Sequence, residues 1–352
     1  MIKYIGSKRK LVPQILRVVQ ALPEVHSVLD LFSGTARVGH ALKQAGYRVT
    51  ANDHNAYAFR LAQCYVQADA QRWLAPAQQL LAELNALPGA PGYFTQTFCE
   101  ASRYFQPHNG ERVDAIREAI ACANLEPELE AIALVSLMEA ADRVDSTVGL
   151  QMAYLKQWAP RAYNRMELRV PQLLAGAGQA LQQDAVEAAA SARYDLVYLD
   201  PPYNQHKYRN YYHVWETLVR WDQPEVYGVA CKRVDCREYV SDFNSKGRIR
   251  DALSAVLARI DARYLVVSFS NEGYLTAEDV VGLLQEQADV RVLSFAHPRY
   301  VGAQIGIYNP KGVKTGQVSH LQNRELLFVA DRARSGALAA LDAQAEVVAC
   351  AK

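Results

Sequence analysis

The stretch "YDLVYLDPPYN" (194–204) places a carboxylate, two prolines and an aromatic ring at the end of an apolar run. Asp200 supplies a hydrogen-bond acceptor, and the Pro201 carbonyl, held by the ring of Pro202, supplies a second in a fixed direction. Tyr203 offers a flat face for stacking. Two acceptors aimed at the two N–H bonds of an exocyclic amine favour a pyramidal nitrogen and stabilise positive charge developing on it. The motif therefore reads as a rigid shelf for a flat, amino-bearing group, with no metal or covalent nucleophile required.

A second set of candidates lies near the start of the chain. In "DLFSGTARVG" (30–39) an apolar run enters Gly34 and a helical pattern begins just beyond it. Glycine lets the backbone approach a ligand closely, and amides at a helix start favour polar or anionic groups. Asp53 closes the next strand, where a carboxylate can accept both hydroxyls of a ribose. The dinucleotide pattern G-x-G-x-x-G is incomplete, because Ala36 occupies its second glycine position. Asp30 suits a ligand with a positively charged amino group better than a pyrophosphate. S-adenosylmethionine carries such a group, which favours methyl transfer over nicotinamide chemistry.

These residues need a sheet to carry them. Strand signals occur at 25–32, 47–53, 179–184, 194–200, 263–270 and 290–295, with helical patterns at 38–47 and around 276–287. The strand–helix–strand order implies parallel pairs with right-handed crossovers. "QIGIY" (304–308) and "RELLFVA" (324–330) read as a closing hairpin. Residues 55–174 are mostly helical in pattern until 146–171, which is polar and aromatic. The expected organisation is a catalytic domain from 1–54 and 175–330, a helical insertion at 55–174, and an Ala-rich tail at 331–352.

Composition sets the outer bounds. The chain has 352 residues, 50% hydrophobic and 21% charged, with a formal net charge of +1. That balance fits a water-soluble protein with a full core. No apolar run reaches the roughly 18 residues of a membrane span, and no secretory signal is visible, so a cytoplasmic protein with reduced thiols is expected. Cys231-x4-Cys236 has loose spacing and no second ligand pair, which argues against zinc. Residues 1–17 and 290–324 each carry five Lys or Arg and no acid, making them candidate phosphate contacts.

The order of motifs resembles the DNA adenine-N6 methyltransferases of the Dam-like group (D12, alpha group). That family's K-[WY]-x-G-x-K element, F-x-G turn and D-P-P-Y are matched by "KYIGSK" (3–8), "DLFSGTARVG" (30–39) and "DPPY" (200–203). The match spans about 1–55 and 175–330. The resemblance implies an α/β fold, a Rossmann-like class I methyltransferase with a mostly parallel seven-stranded sheet, a C-terminal hairpin and a helical insertion. It implies S-adenosylmethionine held by Tyr4, Gly6, Lys8, Asp30, Phe32, Gly34, Asp53 and Asp184, and a flipped adenine held by Asp200, Pro201, Pro202 and Tyr203. Duplex DNA is the implied partner; the chain reads either as the modification enzyme of a restriction–modification system, with a cognate restriction endonuclease as second partner, or as a solitary methylase. Expected DNA contacts are Lys207, Arg209, Arg299, Lys311 and Lys314, with Lys156, Arg161 and Arg165 in the insertion, where Gln151 and Asn164 are also suited to base edges. Ala36 departs from the family's usual glycine by placing a methyl group in a tight turn. N4-cytosine methylation and an idle DNA-binding subunit remain as alternatives.

Overall fold

In the computed structural model, the strands are buried on both faces because their apolar residues alternate between two cores. Residues 1–298, 307–308, 314–316, 322–341 and 346–347 are described. The seven main strands are β1 (Ser27–Asp30), β2 (Arg48–Asn52), β3 (Gln179–Leu181), β4 (Arg193–Leu199), β5 (Asp261–Ser270), β6 (Asp289–Pro298) and β7 (Gln322–Asp331). Along β4, Leu196 and Tyr198 join one core while Val197 and Leu199 join the other, and β5 alternates in the same way. Strands covered on both sides read as near-continuous apolar runs, which is why 194–200 and 263–270 stand out in the sequence.

The strand order is β3-β2-β1-β4-β5-β7-β6, and Glu346–Val347 adds a short edge beside β6. β3, β2, β1, β4 and β5 pair in parallel, whereas β7 runs antiparallel to both β5 and β6. The closing hairpin thus joins β6 to β7. This corrects the pairing expected between 304–308 and 324–330, since Ile307–Tyr308 pairs with Lys314–Gly316. Ten residues each in β6 and β7 form a long register that a two-residue strand cannot compete with.

Order reverses between β1 and β4, so the sheet has its topological switch point there. Asp30 ends β1 and Asp200 follows β4. Asp53 follows β2, and Asp184 lies three residues beyond β3. Four acids therefore stand at the carboxyl edge of four adjacent parallel strands.

The helices α1 (Val12–Ala21), α2 (Arg37–Gln44), α3 (Ala56–Ala62), α4 (Ala70–Ala86), α5 (Pro107–Cys122), α6 (Pro127–Val144) and α7 (His213–Arg220) pack with one face of the sheet. α8 (Ile249–Arg259) and α9 (Ala277–Gln285) cover the other. The insertion shares its core with the sheet: Tyr57, Phe94, Leu134 and Met138 belong to the same cluster as Val28 and Tyr198. Asp184 caps the short helix Ala185–Ala189, accepting from the Val186 amide at 2.9 Å, so the strand expected over 179–184 stops at Leu181. Within the tail, the described segment Ala337–Leu341 docks on the fold, with Leu338 and Leu341 buried. Among the described residues no helix is long and apolar enough to cross a membrane.

Candidate active site

A cleft of ≈ 1160 Å³, partly open to solvent, lies over the switch point. Its wall includes Tyr4, Gly6, Lys8, Asp30, Phe32, Gly34, Asp53 and Asp184, which are all the residues expected to hold the cofactor. Asp200 and Pro202 line the same cleft, while Pro201 and Tyr203 lie outside its wall.

The glycine turn is built by hydrogen bonds from acids. Gly34 has φ +52°, and its amide donates to Asp53 Oδ2 at 2.9 Å. Asp53 Oδ1 accepts from the Asn55 amide at 2.9 Å, so this carboxylate braces the turn as well as facing the cleft. A Cβ on Gly34 would make only ordinary contact with the Tyr4 ring, at 3.4 Å, so it is the left-handed φ that favours glycine here. Ala36 also adopts a left-handed conformation, at φ +57°, and is fully buried outside the cleft wall. The departure from glycine is felt as backbone strain rather than as crowding of a ligand.

Asp30 is 1% exposed. Its Oδ2 accepts from the Gly39 amide at 2.9 Å, but Oδ1 has no partner among the described residues. Burial pushes its carboxyl up to about 7; the Gly39 amide opposes this, while Asp200 and Asp53 add to it. A buried, unsatisfied carboxylate oxygen facing a cleft is costly unless a cation reaches it. The amino group of S-adenosylmethionine meets that requirement, so the donor set fits the cofactor that the motifs imply.

Lys8 is found at the other half of the cleft. Its ammonium lies 3.2 Å from Asp200 Oδ1 and 3.1 Å from Glu325 Oε2, and 5.6 Å from the centroid of the Tyr203 ring. Burial opposes the lysine charge, but Asp200, Tyr203 and Glu325 outweigh it and hold Lys8 well above the ordinary lysine range. Burial pushes Asp200 up to about 6, with Lys8 pulling it back down. Lys8 was expected to hold the cofactor, yet here its ion pairs are with the D-P-P-Y carboxylate Asp200 and with Glu325. Tyr203 packs on Phe269 with centroids 5.3 Å apart. Tyr4 stacks between Tyr208 and Tyr212, at 5.3 and 4.5 Å. Those two tyrosines are four residues apart, a spacing that lets both reach one partner.

Several cleft residues were not anticipated. Asn52 is 2% exposed and ties β1 to the residues after β3 through Leu31 and Gln183. His54 stacks on Tyr239 at 4.8 Å, and Phe32 meets Phe243 edge-on at 5.2 Å. Asn244 donates to the Asn204 and His206 carbonyls, which ties the 239–244 segment to the residues after D-P-P-Y. Nothing local in 236–245 marks it as part of a site. Glu325 had a visible signal: an acid opening the otherwise apolar "ELLFVA".

The expected DNA contacts separate into groups. Lys207 and Arg209 both line the cleft, although Arg209 also pairs with Asp235 at 3.1 Å. Lys156 and Arg165 are exposed. Arg161 is committed internally: Nε and Nη2 donate to Asp145 Oδ1 at 3.0 and 2.8 Å, and Nη2 also donates to the Thr147 carbonyl. Gln151 is 4% exposed and its Oε1 accepts from the Val214 amide at 2.9 Å, so its side chain holds the start of α7 and does not face a base. Arg299 and Lys311 fall outside the described residues, and Lys314 is described by backbone alone. In the first basic block, Lys3 pairs with Asp145 at 2.7 Å and Lys8 is buried, so acids from distant segments neutralise part of it.

Comparison with known proteins gives concordant matches. The family model for D12 class N6 adenine-specific DNA methyltransferases matches residues 4–281. Modification methylase StsI of Streptococcus sanguinis is 29% identical over 302 residues, which are 81% of this chain and 46% of that protein. Type II methyltransferase M.NlaIII of Neisseria lactamica is 31% identical over 234 residues, covering 62% of this chain and 69% of the relative. Type II methyltransferase M.FokI of Planomicrobium okeanokoites is 30% identical over 247 residues, covering 64% and 38%. The chain thus spans less than half the length of the first and third of these relatives.

Proposed function

The chain belongs to the D12 class of N6 adenine-specific DNA methyltransferases, and from that premise we propose that it transfers the methyl group of S-adenosylmethionine to N6 of an adenine flipped out of duplex DNA. The observation that carries this reading is the pair of carboxylates across the switch point, Asp30 with a free buried oxygen and Asp200 beside Lys8. When bound, S-adenosylmethionine supplies an electrophilic methyl group. Asp30 Oδ1 would hold the ligand's amino group, Asp53 its ribose and Asp184 its adenine amine. Tyr4 and Gly6 border the remainder of that pocket. Asp200 and the Pro201 carbonyl accept the two N–H bonds of the target amine, concentrating its lone pair and stabilising the charge that develops on nitrogen. Tyr203 supplies the stacking face for the extruded base.

Relatives named as modification methylases and Type II methyltransferases support assigning this chain to the methylating half of a restriction–modification pair, with a cognate endonuclease as partner. Nucleoside mass spectrometry on unmethylated duplex DNA, incubated with the protein and S-adenosylmethionine, tests the assignment. N6-methyladenine is the expected product. N4-methylcytosine would overturn the choice of base while retaining the chemistry, and absence of both would overturn the reading as a DNA methylase.

A further inference from the structure

A second recess of ≈ 1170 Å³ opens beside the candidate active site and shares Arg37 with it. Its wall carries four arginines, Arg9, Arg37, Arg143 and Arg169, together with His40. Glu139 is the carboxylate on that wall, and it is already engaged by the Tyr65 hydroxyl and the Met1 amino group. Glu167 pairs with Arg169 at 3.1 Å, but both side chains are well exposed and such a pair contributes little. Glu139 also attracts Arg37 and Arg143, and Asp142 and Glu167 attract Arg143, so compensation is partial: four guanidiniums on this wall face one carboxylate on it.

The arginines are arranged at a cost. Arg37 Nε is buried with no partner among the described residues. Burial and then the neighbouring Arg9 hold the Arg37 guanidinium below its ordinary range. Burial and then Arg169 do the same to Arg143, whose Nη2 donates to the Glu167 carbonyl at 2.7 Å. Like charges held together in a concave wall favour a ligand with several linked negative charges over a single small anion.

We propose that this recess binds the phosphodiester backbone of duplex DNA at a distance from the target adenine, an inference that rests on the reading of DNA as substrate. A recess adjoining the candidate active site through Arg37 suits a ligand that occupies both at once. Phosphate contacts made here fix position and add affinity without reading sequence.

The test replaces the two exposed arginines, Arg9→Gln with Arg169→Gln, and measures duplex binding by fluorescence anisotropy across a salt series. The expected result is a slope of log affinity against log salt shallower by about 1 to 2, with weaker binding to every sequence alike. Affinity for S-adenosylhomocysteine and the unfolding temperature stay unchanged, and Arg9→Lys with Arg169→Lys restores most of the slope. An unaltered slope in a double variant whose parent binds DNA overturns this inference alone. A parent protein that binds no duplex overturns the substrate reading and this inference together.

Discussion

The Lys8 ammonium stands 3.2 Å from Asp200 Oδ1, joining the first turn of the chain to the motif at the end of β4. A carboxylate meant to accept an N–H bond at neutral pH must be ionised in a pocket whose burial favours the neutral form. Lys8 opposes that tendency and leaves Asp200 at about 6. Lys8→Met removes the opposing charge, so the Asp200 pKa rises further. The acid limb of the pH–rate profile should move to higher pH, with turnover at pH 7 falling about 10- to 100-fold. Single-turnover methylation measured from about pH 5.5 to about pH 9 checks this, and an unmoved acid limb would remove Lys8 from the mechanism.

Asp200→Ala should lower methyl transfer by on the order of 1000-fold, a loss typical of deleting an acceptor aimed at developing charge. Affinity for S-adenosylhomocysteine, measured by calorimetry, should change by less than about threefold. Retained turnover in this variant would show that the shelf is not where the amine is activated.

Asp30 links stability and ligand binding to pH. Its carboxyl is raised from 3.8 to about 7 in the folded chain, so the folded state holds a proton that the unfolded state has released. Its contribution to stability is full below about pH 4 and is lost as pH rises through about 7. Asp30→Asn keeps an acceptor for the Gly39 amide and removes the charge. The variant should therefore unfold at a higher temperature than the parent at pH 8, with the difference vanishing near pH 4. Its affinity for S-adenosylmethionine should fall, because the amino group loses its counter-charge, and the parent's affinity should increase with pH through 7. Thermal melts and titration calorimetry at several pH values read both effects.

Ala36→Gly exchanges a strained left-handed alanine for a residue that adopts φ +57° freely. Relief of about 1 to 2 kcal/mol is offset by the lost buried methyl, about 0.8 kcal/mol, and by the greater freedom of glycine when unfolded. The unfolding temperature should change by less than about 5 °C. Cofactor affinity should be unchanged, because Ala36 lies outside the cleft wall. A marked gain in affinity would mean that the methyl does crowd the ligand.

Arg161→Ala separates a structural role from a DNA-binding one. Asp145 is 3% exposed and loses the guanidinium that grips it, although Lys3 remains at 2.7 Å. Stability should fall by about 1 to 3 kcal/mol, measured by urea unfolding. The salt dependence of DNA binding should stay as in the parent. A shallower salt slope with unchanged stability would restore Arg161 as a phosphate contact.

The sequence by itself determined the central parallel strands, the turn and the shelf. β1, β2, β4 and β5 are legible because strands covered on both faces must be apolar along their length, and the polar residues that interrupt that pattern, Asp30, Asp53 and Asp200, stand out against it. Motif order was enough to bring the expected cofactor residues to one cleft, since parallel strands align their carboxyl ends. Pairing between distant segments was not legible. The Lys8–Asp200–Glu325 cluster depends on β7 inserting antiparallel between β5 and β6, and no local pattern encodes that neighbour. Gln151 and Arg161 looked like base readers because their types suit base edges. Only the tertiary structure shows that the Val214 amide and the Asp145 carboxylate, remote in sequence or hidden from solvent, occupy their hydrogen-bonding groups. A polar side chain carries the same capacity wherever it lies; the groups the fold brings within about 3 Å of it decide whether that capacity is spent inside the protein or left for a ligand.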